Sequence, residues 1–453
     1  MKRILLIIIA SVSLSSCGLY TKYERADMHF VDSLYRRLSV QSDSASTASI
    51  SWNQIFTDSL LQEWINLGLK YNTDLNIARL KVQEAEAALL SAKGALLPGV
   101  SASASGGVYP GSFNVGVNAS WEADIFGTHR NAKRKAQAAL EQSEAYRQAV
   151  QTQLVATIAN NYYTLLMLDE KLKISKRTID TWEENIRTLE ALKRAGKTNE
   201  AAVLQAKANM LNVEADALTI EKNILSTENS FCSLLGIVPM KIERSTLQDQ
   251  KLPAALSAGI PAELLSRRPD VRQAELALEQ TFYSVNIAKG AFYPNLTLSG
   301  TLGWTSGSGS IVLDPGSLIT NLVASLAQPL FDRYANKARL QVAEAQHEQA
   351  AYNFRQTLLN AGVEVNNALT MWQTARKRVE INKKQILNLQ AAVWNTQLLM
   401  KHGNTNYLEV LTAQKNLLNA ELSEASDRLD EIQSVVNLYH ALGGGYTTPA
   451  VQK

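Results

Sequence analysis

Histidine and cysteine, the residues most often used for metal binding and covalent chemistry, are sparse here. The five histidines, His29, His129, His347, His402 and His440, are scattered, and no metal-spaced cluster or glycine-rich phosphate loop is present. Gly443-Gly444-Gly445 follows a helical stretch instead of opening one, so it reads as a helix terminator and not as a nucleotide loop. Arg267-Arg268-Pro269-Asp270 could be imagined as an anion site, but Pro269 and Asp270 are more simply the start signals and cap of a helix. No catalytic residue, cofactor site or metal site is expected, and the chain does not read as an enzyme.

The two cysteines differ in setting. Cys232 lies in the apolar run Phe231-Cys232-Ser233-Leu234-Leu235, where a buried, inert thiol is expected. Cys17 follows Leu14-Ser15-Ser16, and ahead of these stand Lys2-Arg3 and the apolar stretch Ile4–Val12. That stretch is far too short to cross a bilayer as a helix, which needs about 20 residues, so it reads as a cleavable signal. Leu14-Ser15-Ser16-Cys17 resembles the bacterial lipobox, which implies cleavage after residue 16 and a diacylated Cys17 at the mature N-terminus. Gly18 in place of aspartate agrees with sorting to the outer membrane. The net charge of +3 over 453 residues gives no reason to expect nucleic acid.

The sequence repeats itself. Asp74, Ala78, Ala92, Lys93, Gly94, Ala95 and Pro98 recur at a constant offset of 196, as Asp270, Ala274, Ala288, Lys289, Gly290, Ala291 and Pro294. Gly196, Thr198, Asn199, Val203, Leu204, Ala206, Leu235 and Gly236 recur at an offset of 207, beginning at Gly403 and ending at Gly443. The larger offset places an insertion in the second copy, mostly between Pro294 and Leu330.

Proline is absent between Pro110 and Pro239 and between Pro329 and Pro449, and it would break a helix interior at a cost of about 3 kcal/mol. Within those stretches a heptad phase persists. Leu154, Ile158, Leu165, Leu168, Leu172, Ile179, Trp182, Ile186 and Leu189 keep it, with polar Asn161 and Ser175 in register. The second copy keeps it from Leu358 to Val393, with Asn382 polar. Such a period means coiled-coil packing. One helix from about Thr128 to Arg194 would be roughly 100 Å long at 1.5 Å per residue. Shorter helices carry matching seams: Leu75 to Ala92 against Val271 to Ala288, and Leu204, Ala208, Leu211, Ala215 and Leu218 against Leu411 to Ile432.

Two segments break this period. Phe113, Val115, Val117, Ala119 and Trp121 alternate with Asn114, Gly116, Asn118, Ser120 and Glu122, which is the period of a strand. Val100–Gly106 supplies its partner. Leu296, Leu298, Leu302 and Trp304 alternate with small polar residues in the second copy, and Leu318, Leu322, Ala324 and Leu326 make a weaker return strand. Each copy thus holds one hairpin, with Tyr109, Trp121, Tyr293 and Trp304 near the strand ends, as a transmembrane barrel requires. Four strands cannot close a barrel, and an open edge in hydrocarbon is costly, so further copies of the chain must complete it.

Five motifs carry a family resemblance: Ala119–Gly127 (ASWEADIFG), Leu264–Val271 (LLSRRPDV), Ala291–Leu296 (AFYPNL), Gln328–Asp332 (QPLFD) and Leu438–Gly445 (LYHALGGG). In that order they resemble the TolC-like outer-membrane factors, especially the lipoprotein branch that serves resistance-nodulation-division (RND) transporters. The resemblance runs from about Ile55 onward. It implies a mainly α fold with a small β part, in which long coiled-coil helices form a periplasmic α-barrel and two hairpins per chain contribute to a trimeric transmembrane β-barrel. The segments expected are a signal peptide at 1–16, a lipid-anchored stretch at 17–54, repeats at 55–238 and 261–445, a linker at 239–260 and a tail at 446–453, with the hairpins at about 99–126 and 295–331.

The implied function is the passive exit duct of a tripartite efflux system. Its partners would be two further copies, a periplasmic adaptor, an inner-membrane RND-type transporter and outer-membrane lipid. Conduction of proteins in type I secretion is the alternative, and a structural coiled-coil lipoprotein would leave the hairpins unexplained. Adaptor contacts are expected at the helix tips, Gly196, Lys197 and Thr198 with Gly403, Asn404 and Thr405. The pore constriction is expected at Asn404, Thr405, Asn406, Tyr407 and Glu409. With no carboxylate before Glu409, and Lys193-Arg194-Ala195-Gly196-Lys197 in the other tip, this end is expected to be neutral to positive and weak in cation selectivity.

Overall fold

The computed structural model describes residues 23–24, 51–107, 112–251, 268–307, 318–402 and 407–444. The signal, Cys17 and the tip residues Gly403, Asn404, Thr405 and Asn406 lie outside them. In chain order the elements are α1 (Trp52–Ile55), α2 (Ser59–Tyr71), α3 (Thr73–Gly94), β1 (Gly99–Gly107), β2 (Ser112–Ala123), α4 (Thr128–Arg194) and α5 (Glu200–Leu235). The second repeat gives α6 (Pro269–Gly290), β3 (Asn295–Gly307), β4 (Leu318–Ala327), α7 (Ala335–Lys401) and α8 (Tyr407–Ala441). The long helices α4 and α7 are 67 residues each, and the proline-free heptad stretches predict them.

The chain folds as two compact units, and each draws on both repeats. One gathers Ala78–Arg147 and Asp270–Thr357. The other gathers His29–Ile77, Gln148–Pro269 and Leu358–Lys453.

The first unit holds the sheet. The two hairpins are not separate: β2 pairs with β3, so the four strands make one antiparallel sheet in the order β1-β2-β3-β4. Register joins like to like. Ala102, Val117 and Leu302 stand opposite one another across three strands, Val115 stands opposite Trp304, and Gly300 opposite Leu322. The other face is mostly polar, Ile319 and Val323 of β4 excepted, with Asn118 donating to Ser103 Oγ at 3.0 Å and accepting from Thr301 Oγ1 at 3.1 Å. Backbones approach closely where Gly116 faces Gly303, since a Cβ on Gly303 would lie 2.5 Å from the Val115 carbonyl oxygen.

The second unit holds the main core. Asp58 caps α2 by accepting from the Leu60 and Leu61 amides at 3.0 and 3.4 Å, which sets Leu61 and Ile65 inward. They join Leu154, Ile158, Leu165 and Leu166 of α4, Phe231 and Leu235 of α5, and Ile432, Val436 and Tyr439 of α8. Cys232 is fully buried there as a free thiol, and its sulfur receives the Met240 amide at 3.4 Å. Arg268 is likewise structural: it is buried and donates to the Ala441 carbonyl at 2.6 Å and to Glu364 at 2.7 Å. Pro269 opens α6 as expected.

Candidate functional site

The sheet is the first candidate surface, because its two faces suit two solvents. Val100, Val117, Trp121, Leu302, Trp304, Leu318, Leu322 and Leu326 are exposed on the apolar face. They form one contiguous apolar face, with Leu322 85 % exposed, and a patch of that kind marks a membrane or partner surface. Aromatic groups sit where the strands end: Trp121 Nε1 donates to the Leu96 carbonyl at 3.0 Å, and Phe126 stacks on Tyr293 with centroids 4.8 Å apart. Among the described residues no helix is long and apolar enough to cross a membrane.

The helix tips are the second. Gly196 ends α4 in the left-handed region at φ 73, with its amide donating to the Lys193 carbonyl at 3.0 Å and the Lys197 amide to Leu192 at 2.9 Å. That reversal requires a residue without a Cβ penalty. Asn199 then caps α5 by accepting from the Ala202 amide at 3.0 Å. Gly196 and Lys197 are exposed and Thr198 is half-buried. The basic residues of this tip are partly paired. Lys193 pairs with Glu200 and Lys207 pairs with Glu190 at 2.7 Å, while Arg194 and Lys197 make no salt bridge among the described residues.

Tyr407, expected at the constriction, opens α8 and is 93 % buried with Trp182, Ile186, Leu189, Val203, Val410 and Leu411. It joins both repeats near their tips. Among the described residues its hydroxyl has no hydrogen-bond partner, and burial pushes its pKa up to about 12. Glu409, by contrast, is exposed.

Two polar networks in the second unit have no counterpart in the sequence reading. Asp58 Oδ2 accepts from Tyr162 at 2.9 Å, from Gln250 at 3.0 Å and from Ser245. Burial pushes the Asp58 carboxyl up, but the bonds from Ser245, Tyr162 and Gln250 outweigh it and hold the pKa below its ordinary value. Beside it, Arg244 pairs with Asp169 at 2.5 Å and with Glu228. The second network explains the polar Asn382 in the α7 seam. Asn382 and Arg378 both bind the buried Asp427 of α8, at the wall of an open polar groove that Gln385, Asn416, Asn419 and Ser423 also line.

Residues 64–237 and 260–444 both match the family described as Outer membrane efflux protein. The chain belongs to that family.

The family match takes in both repeats, and with it the chain is an outer-membrane efflux channel subunit. Among relatives of this outer membrane efflux protein, the cation efflux system protein CusC of Escherichia coli K12 is 26% identical over 96% of this chain and 98% of its own length. The probable outer membrane lipoprotein SilC of Salmonella typhimurium is 27% identical over 87% and 88%. The open-state structure of the Neisseria gonorrhoeae MtrE outer membrane channel superposes with a TM-score of 0.85 at 27% identity, covering 95% of this chain and 98% of that one. CusC is named as an efflux component, SilC as a probable outer membrane lipoprotein and MtrE as an outer membrane channel, and the MtrE likeness extends to the mainly helical fold with its small sheet.

Proposed function

We propose that three copies of this chain close their sheets into one transmembrane barrel, and that the assembly is a passive exit duct, not an enzyme, fed by an inner-membrane RND-type transporter through a periplasmic adaptor. The observation that carries this reading is the two-faced sheet, whose edge strands β1 and β4 each pair on one side only within the chain. Hydrocarbon would not tolerate those open edges.

Helix α5 supports it independently. The sequence predicts a seam through Leu204, Leu211 and Leu218, and the matching residues Leu411, Leu418 and Ala425 of α8 are buried. Yet Leu204, Leu211, Leu218 and Leu225, at intervals of seven, are 56%, 57%, 67% and 62% exposed in the single chain. Its own chain buries the neighbouring face, Val203, Ala206, Val213 and Ala217. The leucine stripe therefore fits another copy. Gly196, Lys197 and Thr198, with Gly403, Asn404 and Thr405, would receive the adaptor. Asn404, Thr405 and Asn406 with Glu409 would line the constriction, to which the buried Tyr407 would contribute through core packing and not as a lining residue. Cys17 would carry the lipid.

Native mass spectrometry of detergent-extracted protein tests the assembly. Three subunits are expected, each beginning at an acylated Cys17. Leu211→Glu with Leu218→Glu should release folded monomers. A monomeric parent protein, or a trimer indifferent to both substitutions, would contradict the reading.

A further inference from the structure

The two helices that start at the sheet are each capped by one carboxylate just ahead of them, Asp124 accepting from the His129 and Arg130 amides and Asp332 from the Asn336 amide. Both nevertheless carry more cations there than these acids match. Cations are unfavourable in the first turn of a helix, where the peptide dipoles already present positive charge. Helices α3, α5, α6 and α8 respect this, with Asp74, Glu200, Asp270 and Glu409 in their first turns. Helix α4 has no acidic residue there, and Arg130, Lys133, Arg134 and Lys135 crowd its beginning, all exposed. Helix α7 also lacks one, and exposed Arg333, Lys337 and Arg339 surround its start. Helix stability does not account for these charges.

Local carboxylates do not account for them either. Asp124 takes Arg130 at 3.1 Å, Glu122 takes His129 at 3.4 Å, Asp332 accepts from the Asn336 amide at 2.7 Å, and Glu141 takes Arg272 at 2.9 Å. Among the described residues, Lys133, Lys135, Arg333, Lys337 and Arg339 have no carboxylate within 4.0 Å.

On the sheet side of this charge the turns are apolar and open. Leu330 is 93% exposed, Phe331 79% and Tyr334 72%. Arg333 and Tyr334 hold positive φ values of 55 and 69, a conformation costly for residues with a side chain, where the first repeat uses Gly127 at φ 71. Moving along either repeat, an apolar strand face gives way to an apolar turn, exposed aromatic in the second copy, and then to unpaired cations. That is the order of hydrocarbon, interface and phosphate in a bilayer leaflet.

We propose that these cations form a collar that binds the phosphate groups of anionic phospholipid in the periplasmic leaflet of the outer membrane, with Phe331 and Tyr334 placed at the interface beside them. The strands alone would hold the chain in any bilayer. The collar makes the composition of the leaflet matter, and it fixes how far the sheet sinks.

The full channel reconstituted in nanodiscs of phosphatidylethanolamine and phosphatidylglycerol at a fixed ratio provides the test, with retained lipid counted by native mass spectrometry. Phosphatidylglycerol should be retained several-fold above its share of the bilayer, less so as sodium chloride rises. Replacing Lys133, Lys135, Arg333, Lys337 and Arg339 by glutamine should return retention to the bulk ratio. Exchanging lysine and arginine at the same five positions should preserve the enrichment, as should Lys222→Gln with Lys384→Gln, far along the chain from the turns. Bulk-ratio retention by the parent protein would overturn the proposal, as would enrichment that survives neutralisation. Displacement of lipid by inorganic phosphate beyond that by chloride at equal ionic strength would mark a free-anion site and overturn the lipid assignment. Should the neutralised protein fail to assemble, the parent's enrichment and its salt dependence decide.

Discussion

Asp58 carries more of the second unit's polar order than its sequence context suggests. It caps α2 and accepts from three side chains that lie 104, 187 and 192 residues away. No periodicity encodes such a meeting, so the network was not legible in the sequence, whereas the inert Cys232 was legible from its apolar neighbours alone. Because the folded pKa is held below the unfolded value, the carboxylate stabilises the fold above about pH 4, and that contribution is lost as pH falls through the depressed folded pKa. Asp58→Asn should therefore cost about 1–3 kcal/mol at neutral pH, with the difference from the parent shrinking below about pH 4 in denaturant titrations. A difference independent of pH would refute the assignment. Tyr407 gives the opposite sign. Its buried hydroxyl is unpartnered among the described residues, so Tyr407→Phe should be neutral or stabilising by about 1 kcal/mol, while Tyr407→Ala should cost about 3–5 kcal/mol through the cavity it leaves. A Phe variant less stable than the parent would mean that the hydroxyl is bonded.

At the level of elements, helix ends and strand registers follow rules that a single sequence displays. The 67 residues of α4 were readable because proline is absent and the heptad phase unbroken, and β2 because its alternation is strict. The joining of β2 to β3 was not readable: it depends on Gly116 and Gly303 meeting across repeats, and a glycine in an alternating strand announces no partner. Which face of α5 the chain buries was likewise hidden, since Val203 and Leu204 are equally apolar and only packing distinguishes them. The close approach yields a prediction. Gly303→Val would drive a branched side chain into the Val115 carbonyl and part the two hairpins. The variant should keep its helical circular dichroism but fail to become heat-resistant or membrane-integrated in fractionation, whereas Gly99→Val, with only the Ser120 oxygens near 3.8 and 3.9 Å, should insert normally. Normal insertion of the Gly303 variant would show that the β2–β3 junction is not needed.

For the whole molecule, each repeat supplies half of the sheet and half of the long helices, so neither repeat is a compact unit by itself and each compact unit draws on both repeats. That division explains why the repeat offsets revealed the build without revealing the units. It also makes truncation uninformative, because removing one repeat removes half of everything. What remains is a chain with an apolar sheet face, open sheet edges and an exposed leucine stripe, which together make sense only in an assembly within a membrane. Conductance measures this most directly. Purified full-length protein added to a planar lipid bilayer should produce discrete, long-lived conductance steps of uniform size, and Gly303→Val protein prepared in the same way should produce none. Silent membranes with correctly folded, oligomeric parent protein would contradict a channel.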